Sequence, residues 1–275
     1  MFICPISYIF TAFALCYNTV SGEVVKELKN YGNTRIDHVS YRIVNGNDAD
    51  IKDYPFAALI FFTPASKLIG GATIIAPLWT VTAADIGTTI EKGNIPLNLF
   101  TIRSNSSYQD ELYSEHSIAK IIIHKAFSME SHDYNIAMIK VNNPFNGRYE
   151  KPIALAEKDY KYTPNTTVYV IGWGRTEKGE LSKVLKYGRV TIVDSYSCRS
   201  YWRLNETTIT YRMVCAFGAG TDPCTGDVGS ALLQSDKLIG IALFWRTPCG
   251  DLVFPTVYTK VSEFHSWILE TMQTD

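Results

Sequence analysis

The sequence has little net charge with which to attract a polyanion. Its 26 Lys and Arg stand against 27 Asp and Glu, for a formal charge of −1. Without a basic surplus, neither nucleic acid nor an anionic membrane surface is indicated as a partner. Charged residues make up only 19% of the chain, against 46% hydrophobic and 13% aromatic. That composition excludes an unfolded chain and suits a packed core. Beyond the N-terminus no apolar run is long enough to cross a bilayer, and repeats and low-complexity tracts are lacking. Histidine is scarce: His38, His116, His124, His132 and His265 are all there are. None stands at metal-ligand spacing, so no metal and no cofactor is expected.

The N-terminus carries the one long apolar segment, from Phe2 to about Val20, ending in Ser21 and Gly22. It reads as a secretory signal peptide over residues 1–22, although it lacks an early Lys or Arg. The alternative, a membrane anchor, is disfavoured by Cys4, Pro5, Tyr8, Cys16 and Asn18. Removing this segment leaves Cys198, Cys215, Cys224 and Cys249. An even count in an exported chain implies two disulfides, whose connectivity spacing alone leaves open. Export also gives meaning to the glycosylation sequons at Asn105, Asn165 and Asn205. Residues 23–42 are polar and without period, as in a pro-segment.

Beyond residue 43 come many short runs rich in Val, Ile, Thr and aromatics, separated by Gly, Pro, Asn and Asp. Examples are 56–62, 118–124, 135–141, 186–193 and 237–244. This is the pattern of an all-β sandwich or barrel. The one helix expected is terminal, with Val261, Phe264, Trp267, Ile268 and Met272 on one face and Ser262 as N-cap.

Several motifs sharpen that reading when taken in order: Arg42-Ile43-Val44-Asn45-Gly46, Ile69-Gly70-Gly71-Ala72, Trp79-Thr80-Val81-Thr82-Ala83-Ala84, Asn135-Ile136-Ala137-Met138, Gly172-Trp173-Gly174 and Asp222-Pro223-Cys224-Thr225-Gly226-Asp227-Val228-Gly229-Ser230. Together they resemble the trypsin/chymotrypsin-like serine proteases, peptidase family S1, over residues 43–275 and without a clip-type module in front. The resemblance implies two six-stranded antiparallel β-barrels with a C-terminal α-helix.

It also implies a Ser-His-Asp triad, and here the sequence departs from the family. Asp85 stands where the histidine belongs, Asn135 where the orienting aspartate belongs, and Val228 where the nucleophile belongs. Valine offers no lone pair to attack a carbonyl, and an aspartate does not shuttle protons near neutrality as histidine does. No catalytic residue is therefore expected. Other family features persist. Cleavage after Arg42 would free the amine of Ile43 to pair with Asp227. Asp222 occupies the position that selects basic side chains, but Trp245 and Thr256 replace two pocket glycines, so the pocket reads as a vestige. The resemblance pairs Cys198 with Cys215 and Cys224 with Cys249, while a third family disulfide is replaced by Ile69 and Ile86.

The expected protein is a secreted, inactive protease homologue. Its expected role is to bind a protease, a protease inhibitor or another extracellular protein, as cofactor, decoy or regulator in an immune, reproductive or secretory proteolytic network. A carbohydrate- or matrix-binding module and a residual trypsin-like endopeptidase are the alternatives.

Overall fold

The computed structural model describes residues 46–176, 180–203, 207–218, 223–244 and 253–275. Six strands close the first barrel: β2 (Ala57–Phe62), β3 (Lys67–Ala76), β4 (Trp79–Thr82), β5 (Phe100–Ser104), β6 (Ser114–Ile123) and β7 (Ala137–Val141), in the order β2-β3-β4-β7-β6-β5. The ring closes because β5 returns antiparallel onto β2, with Ile102 opposite Ile60. The second barrel is built from β9 (Thr167–Gly172), β10 (Lys186–Val193), β11 (Met213–Phe217), β12 (Ala231–Gln234), β13 (Lys237–Phe244) and β14 (Thr256–Lys260). They run β10-β11-β14-β13-β12-β9, and β9 pairs back onto β10. Two short strands decorate it: β1 (Asn47–Asp48) on β10, and β8 (Ala154–Leu155) parallel to β13. The two barrels expected from the sequence are thus present.

Closure needs curvature, and register shifts supply it at Ile60/Phe61, Ile74/Ala76, Ile118/Lys120, Leu232/Leu233 and Ala242/Phe244. Inward-facing side chains of both barrels form one large core. It includes the fully buried Leu59, Ile60, Ile74, Ile102, Met138, Ile139, Ile192 and Leu232. Ile86 belongs to it, and the half-buried Ile69 packs against it.

Three α-helices are present among the described residues: α1 (Ala84–Lys92), α2 (Ser195–Arg203) and α3 (His265–Thr274). Only α3 is expected from the sequence. It begins later than its apolar period suggests, after a 3₁₀ turn over Val261–Phe264, and Ser262 does not cap it. Helix α2 is capped instead by Asp194, whose Oδ1 accepts from Tyr196 N at 3.0 Å and Ser197 N at 2.9 Å. A disulfide between Cys198 and Cys215 ties α2 to β11. Around it Trp202, Ile209, Met213, Leu243, Phe254 and Val257 form a second, smaller core. No described helix is long and apolar enough to cross a membrane.

Candidate functional site

Strand β3 of the first barrel meets the 224–230 turn of the second at a junction that only glycine permits. Gly71 N donates to Val228 O at 2.8 Å, and Thr82 Oγ1 donates to Gly71 O at 2.7 Å. A Cβ on Gly71 would stand 2.8 Å from the Ser230 backbone, inside any real contact. Gly229 adopts φ +85°, and its N–H donates to Ala242 O at 2.9 Å. That left-handed conformation suits glycine. Val228 is half-buried against the main core, and Ser230 is buried.

Asp85 and Asn135 come together at the start of α1. The Asp85 backbone N–H donates to Asn135 Oδ1 at 3.1 Å, which fixes the amide's orientation. Asn135 Nδ2 is buried, on a residue only 1% exposed, and makes no hydrogen bond of good geometry. The Asn135 carbonyl accepts from Thr259 Oγ1 at 2.9 Å and so fastens this segment to the second barrel. Asp85 Oδ1 accepts from Ile86 N at 2.9 Å. Burial pushes the Asp85 carboxyl up, and the Asn135 side chain, the nearby His132 charge and the Ile86 N–H pull it only part of the way back.

Asp133, two residues before Asn135, serves elsewhere. Thr210 Oγ1 donates to it at 3.0 Å, Arg212 Nε donates at 2.8 Å, and the guanidinium forms an ion pair with it. Burial alone would raise its carboxyl, but the Arg212 and Thr210 hydrogen bonds outweigh that and hold it low. His124 is stacked on Tyr134 at 4.9 Å and packed near Trp267 at 5.0 Å. Its imidazole is pushed down by burial and then by the charges of Lys125 and Arg212.

Asp227 is the most enclosed charge-bearing group near this junction, at 0% exposed. Its Oδ1 accepts from Gly174 N at 2.7 Å and its Oδ2 from Cys224 N at 2.9 Å. A Cβ on Gly174 would stand 2.7 Å from Asp227 Oδ1, and one on Gly172 would stand 3.1 Å from Asp227 Cγ. The Gly-Trp-Gly motif is therefore the space into which this carboxyl inserts. Burial pushes it up to about 7, against the pull of the two N–H groups. Among the described residues no cationic side chain forms an ion pair with it.

Arg42, Ile43, Asp222, Trp245, Cys249 and Asn205 lie outside the described residues. Thr256 is buried at the start of β14, opposite Ala216. Cys224 is disulfide-bonded. Asn165 is exposed, whereas both amide atoms of Asn105 are engaged. Its Nδ2 donates to Ser114 Oγ at 3.0 Å, and its Oδ1 accepts from Tyr149 N at 2.8 Å. A glycan on Asn105 Nδ2 would displace that bond and press on Gly147, where a Cβ would already stand 2.9 Å from the same nitrogen. Mass mapping after deglycosylation is therefore expected to mark Asn165 and leave Asn105 unmodified. Asn105→Ala should destabilise the fold by about 1–3 kcal/mol, readable in a urea titration.

Sequence reasoning missed one buried polar cluster altogether. His116 on β6 faces Glu150, with Nε2 at 2.9 Å from Oε1 and Nδ1 at 3.1 Å from Asn143 O. Ser104 Oγ donates to the same carboxylate at 2.6 Å, and Gly147 N donates to Oε2 at 2.6 Å. The partners lie far apart in sequence, so no local spacing signals them. No cluster of metal-ligating side chains occurs among the described residues.

The comparisons agree with this architecture. The trypsin family model matches residues 43–268, and the chain belongs to that family. It is 32% identical to a trypsin of Simulium vittatum over 229 residues, covering 80% of this chain and 89% of that protein. It is 28% identical over 256 residues to CLIP domain-containing serine protease B4 of Anopheles gambiae, covering 84% of this chain and 70% of that protein. Among solved structures, scabies mite inactivated protease paralogue S-D1 superposes with a TM-score of 0.75 at 26% identity, covering 83% of this chain and 97% of that one. Mouse neuropsin, a serine protease, gives 0.72 at 27%, covering 82% and 98%.

Proposed function

We propose that this trypsin-family chain is a secreted protein without hydrolytic activity. In this reading it works by binding another extracellular protein, a protease or protease inhibitor, within a proteolytic network. One observation carries the reading: the positions that should hold imidazole, carboxylate and hydroxyl hold Asp85, Asn135 and Val228. The geometry around them supports it. The Asp85 carboxyl accepts from the Ile86 N–H within α1, which ties it into the first turn of a helix, and the Asp85 backbone N–H donates to Asn135 Oδ1; neither arrangement serves to receive a nucleophile's proton. That one similar structure is an inactivated protease paralogue is consistent with such a role in this fold.

The test is hydrolysis of a panel of Arg-, Lys- and aromatic-containing peptides by purified chain, before and after cleavage at Arg42. No turnover above a heat-inactivated control is expected. Val228→Ser alone should also stay at that baseline, because a hydroxyl without an imidazole is not activated. Turnover that survives repurification overturns the reading. Capture from the native secretion, with and without competing glycan, then separates a protein partner from a carbohydrate one.

A further inference from the structure

A cavity of about 420 Å³ shares no lining residue with the triad positions; Asp53, Tyr54, Phe56, Ile153, Tyr169, Leu233, Ser235 and Asp236 line it. That size lies in the range of pockets that hold a small ligand or a single large side chain. Phe56, Ile153 and Leu233 are buried and supply an apolar floor, while Tyr169 is 40% exposed. Tyr54 stacks on Tyr187 at 6.1 Å, and Tyr169 contacts Tyr187 at 6.5 Å. The two tyrosine walls are thus braced by a third ring behind them.

Two carboxylates line the cavity, and neither is locked in an ion pair among the described residues. The lysines adjacent to them in sequence turn elsewhere: Lys52 pairs with Asp50 at 2.7 Å, and Lys237 reaches Glu157 at 3.5 Å. Asp53 and Asp236 enter no ion pair among the described residues. Asp236 is also held firmly. It and Ser235 form the β12–β13 turn with φ of +61° and +47°, between Gln234 and Lys237, which pair across the strands.

We propose that this cavity receives the guanidinium of an arginine side chain presented by a partner protein. The apolar floor suits the arginine methylenes. The tyrosine faces attract the planar cation, and the two carboxylates accept its forked N–H donors. A neutral sugar would use the rings but gain nothing from two carboxylates free of ion pairs, and an anion would be repelled. Arginine is also among the residues that dominate protein–protein binding energy. The inference goes beyond the binding role proposed above and stands whether or not the chain hydrolyses peptides.

The test titrates N-acetyl-arginine amide into the full chain at low ionic strength, followed by calorimetry. Saturable binding is expected, weakened by added salt. Asp53→Asn and Asp236→Asn should each reduce affinity about tenfold while leaving the melting temperature unchanged, because both residues are exposed. Asp222→Asn should not reduce it. Absence of binding overturns the proposal. So does affinity lost in Asp222→Asn but kept in the other two, which would assign arginine to the family's primary pocket. A neutral oligosaccharide that binds equally well to the Asp53→Asn/Asp236→Asn double variant and to the unmodified chain also overturns it.

Discussion

Replacing His116 with alanine is expected to destabilise the protein by about 3–5 kcal/mol, because it leaves a buried carboxylate without its counter-charge. His116 and Glu150 are 6% and 5% exposed. The protonation state follows from the partners. One imidazole nitrogen faces the Asn143 carbonyl and the other the Glu150 carboxylate, and both oxygens can only accept. Both nitrogens therefore donate, and the ring is an imidazolium. Burial works against that charge, but the Glu150 hydrogen bond and charge and the Asn143 carbonyl outweigh it, so the imidazole is raised overall. Burial likewise works to raise Glu150, yet the donors from His116, Ser104 and Gly147 hold it down at about 2.

The cluster joins β5, β6, the loop after β7 and the segment leading towards the second barrel, so its loss would be felt along the first barrel's rim. Urea titrations of His116→Ala, Glu150→Ala and the double variant test this. Each single change should be severe, and the double change should cost much less than their sum, since it leaves no lone charge. If both single variants unfold within about 0.5 kcal/mol of the unmodified chain, the pair is not charged in the folded protein and this account fails.

The contrast between what the sequence reveals and what it hides has a physical basis. The barrels were legible because strand patterning and motifs such as Gly70-Gly71 and Gly172-Trp173-Gly174 are local. The reason for those glycines was not legible. It lies in residues far along the chain: Ser230 against Gly71, and the Asp227 carboxyl against Gly172 and Gly174. Helix α1 went unseen because Gly87, Thr88 and Thr89 are poor helix formers and its N-cap residue, Ala83, has no side chain to cap it. Gly87 is there for packing, since a Cβ would stand 3.0 Å from Ile121 and from Ile123. Ser262 misled in the opposite direction. It has the chemistry of an N-cap, but the chain takes a 3₁₀ turn first and buries it. At the candidate site, the identities at 85, 135 and 228 were plain from the motifs. The link from Asp85 N to the Asn135 amide, 50 residues apart, needed the fold.

Asp227 makes a second large effect depend on pH. In the uncleaved chain its carboxyl is pushed from 3.8 up to about 7 by complete burial. A carboxyl with a folded pKa above its unfolded value binds more protons folded than unfolded between the two. Stability therefore falls as pH rises through that window, by on the order of 4 kcal/mol between pH 4 and 7. His116 acts in the same direction at higher pH: its contribution is full below 6.5 and fades as pH passes its raised folded value. Glu150 acts at the other end, its contribution being present above 4.5 and lost as pH falls towards 2. The uncleaved protein should thus be most stable in weak acid, and Asp227→Asn should remove the fall between pH 4 and 7. Cleavage after Arg42 should remove it too, if the new Ile43 amine pairs with Asp227, because a buried carboxylate beside a cation no longer favours the proton. Denaturant titrations at pH 4.5 and 7.5 decide the matter, run on the unmodified chain and on the Asp227→Asn variant, each before and after cleavage. An uncleaved chain as stable at pH 7.5 as at 4.5 would mean that Asp227 already has a counter-charge, and a slope unchanged by cleavage would mean that the Ile43 amine does not reach it.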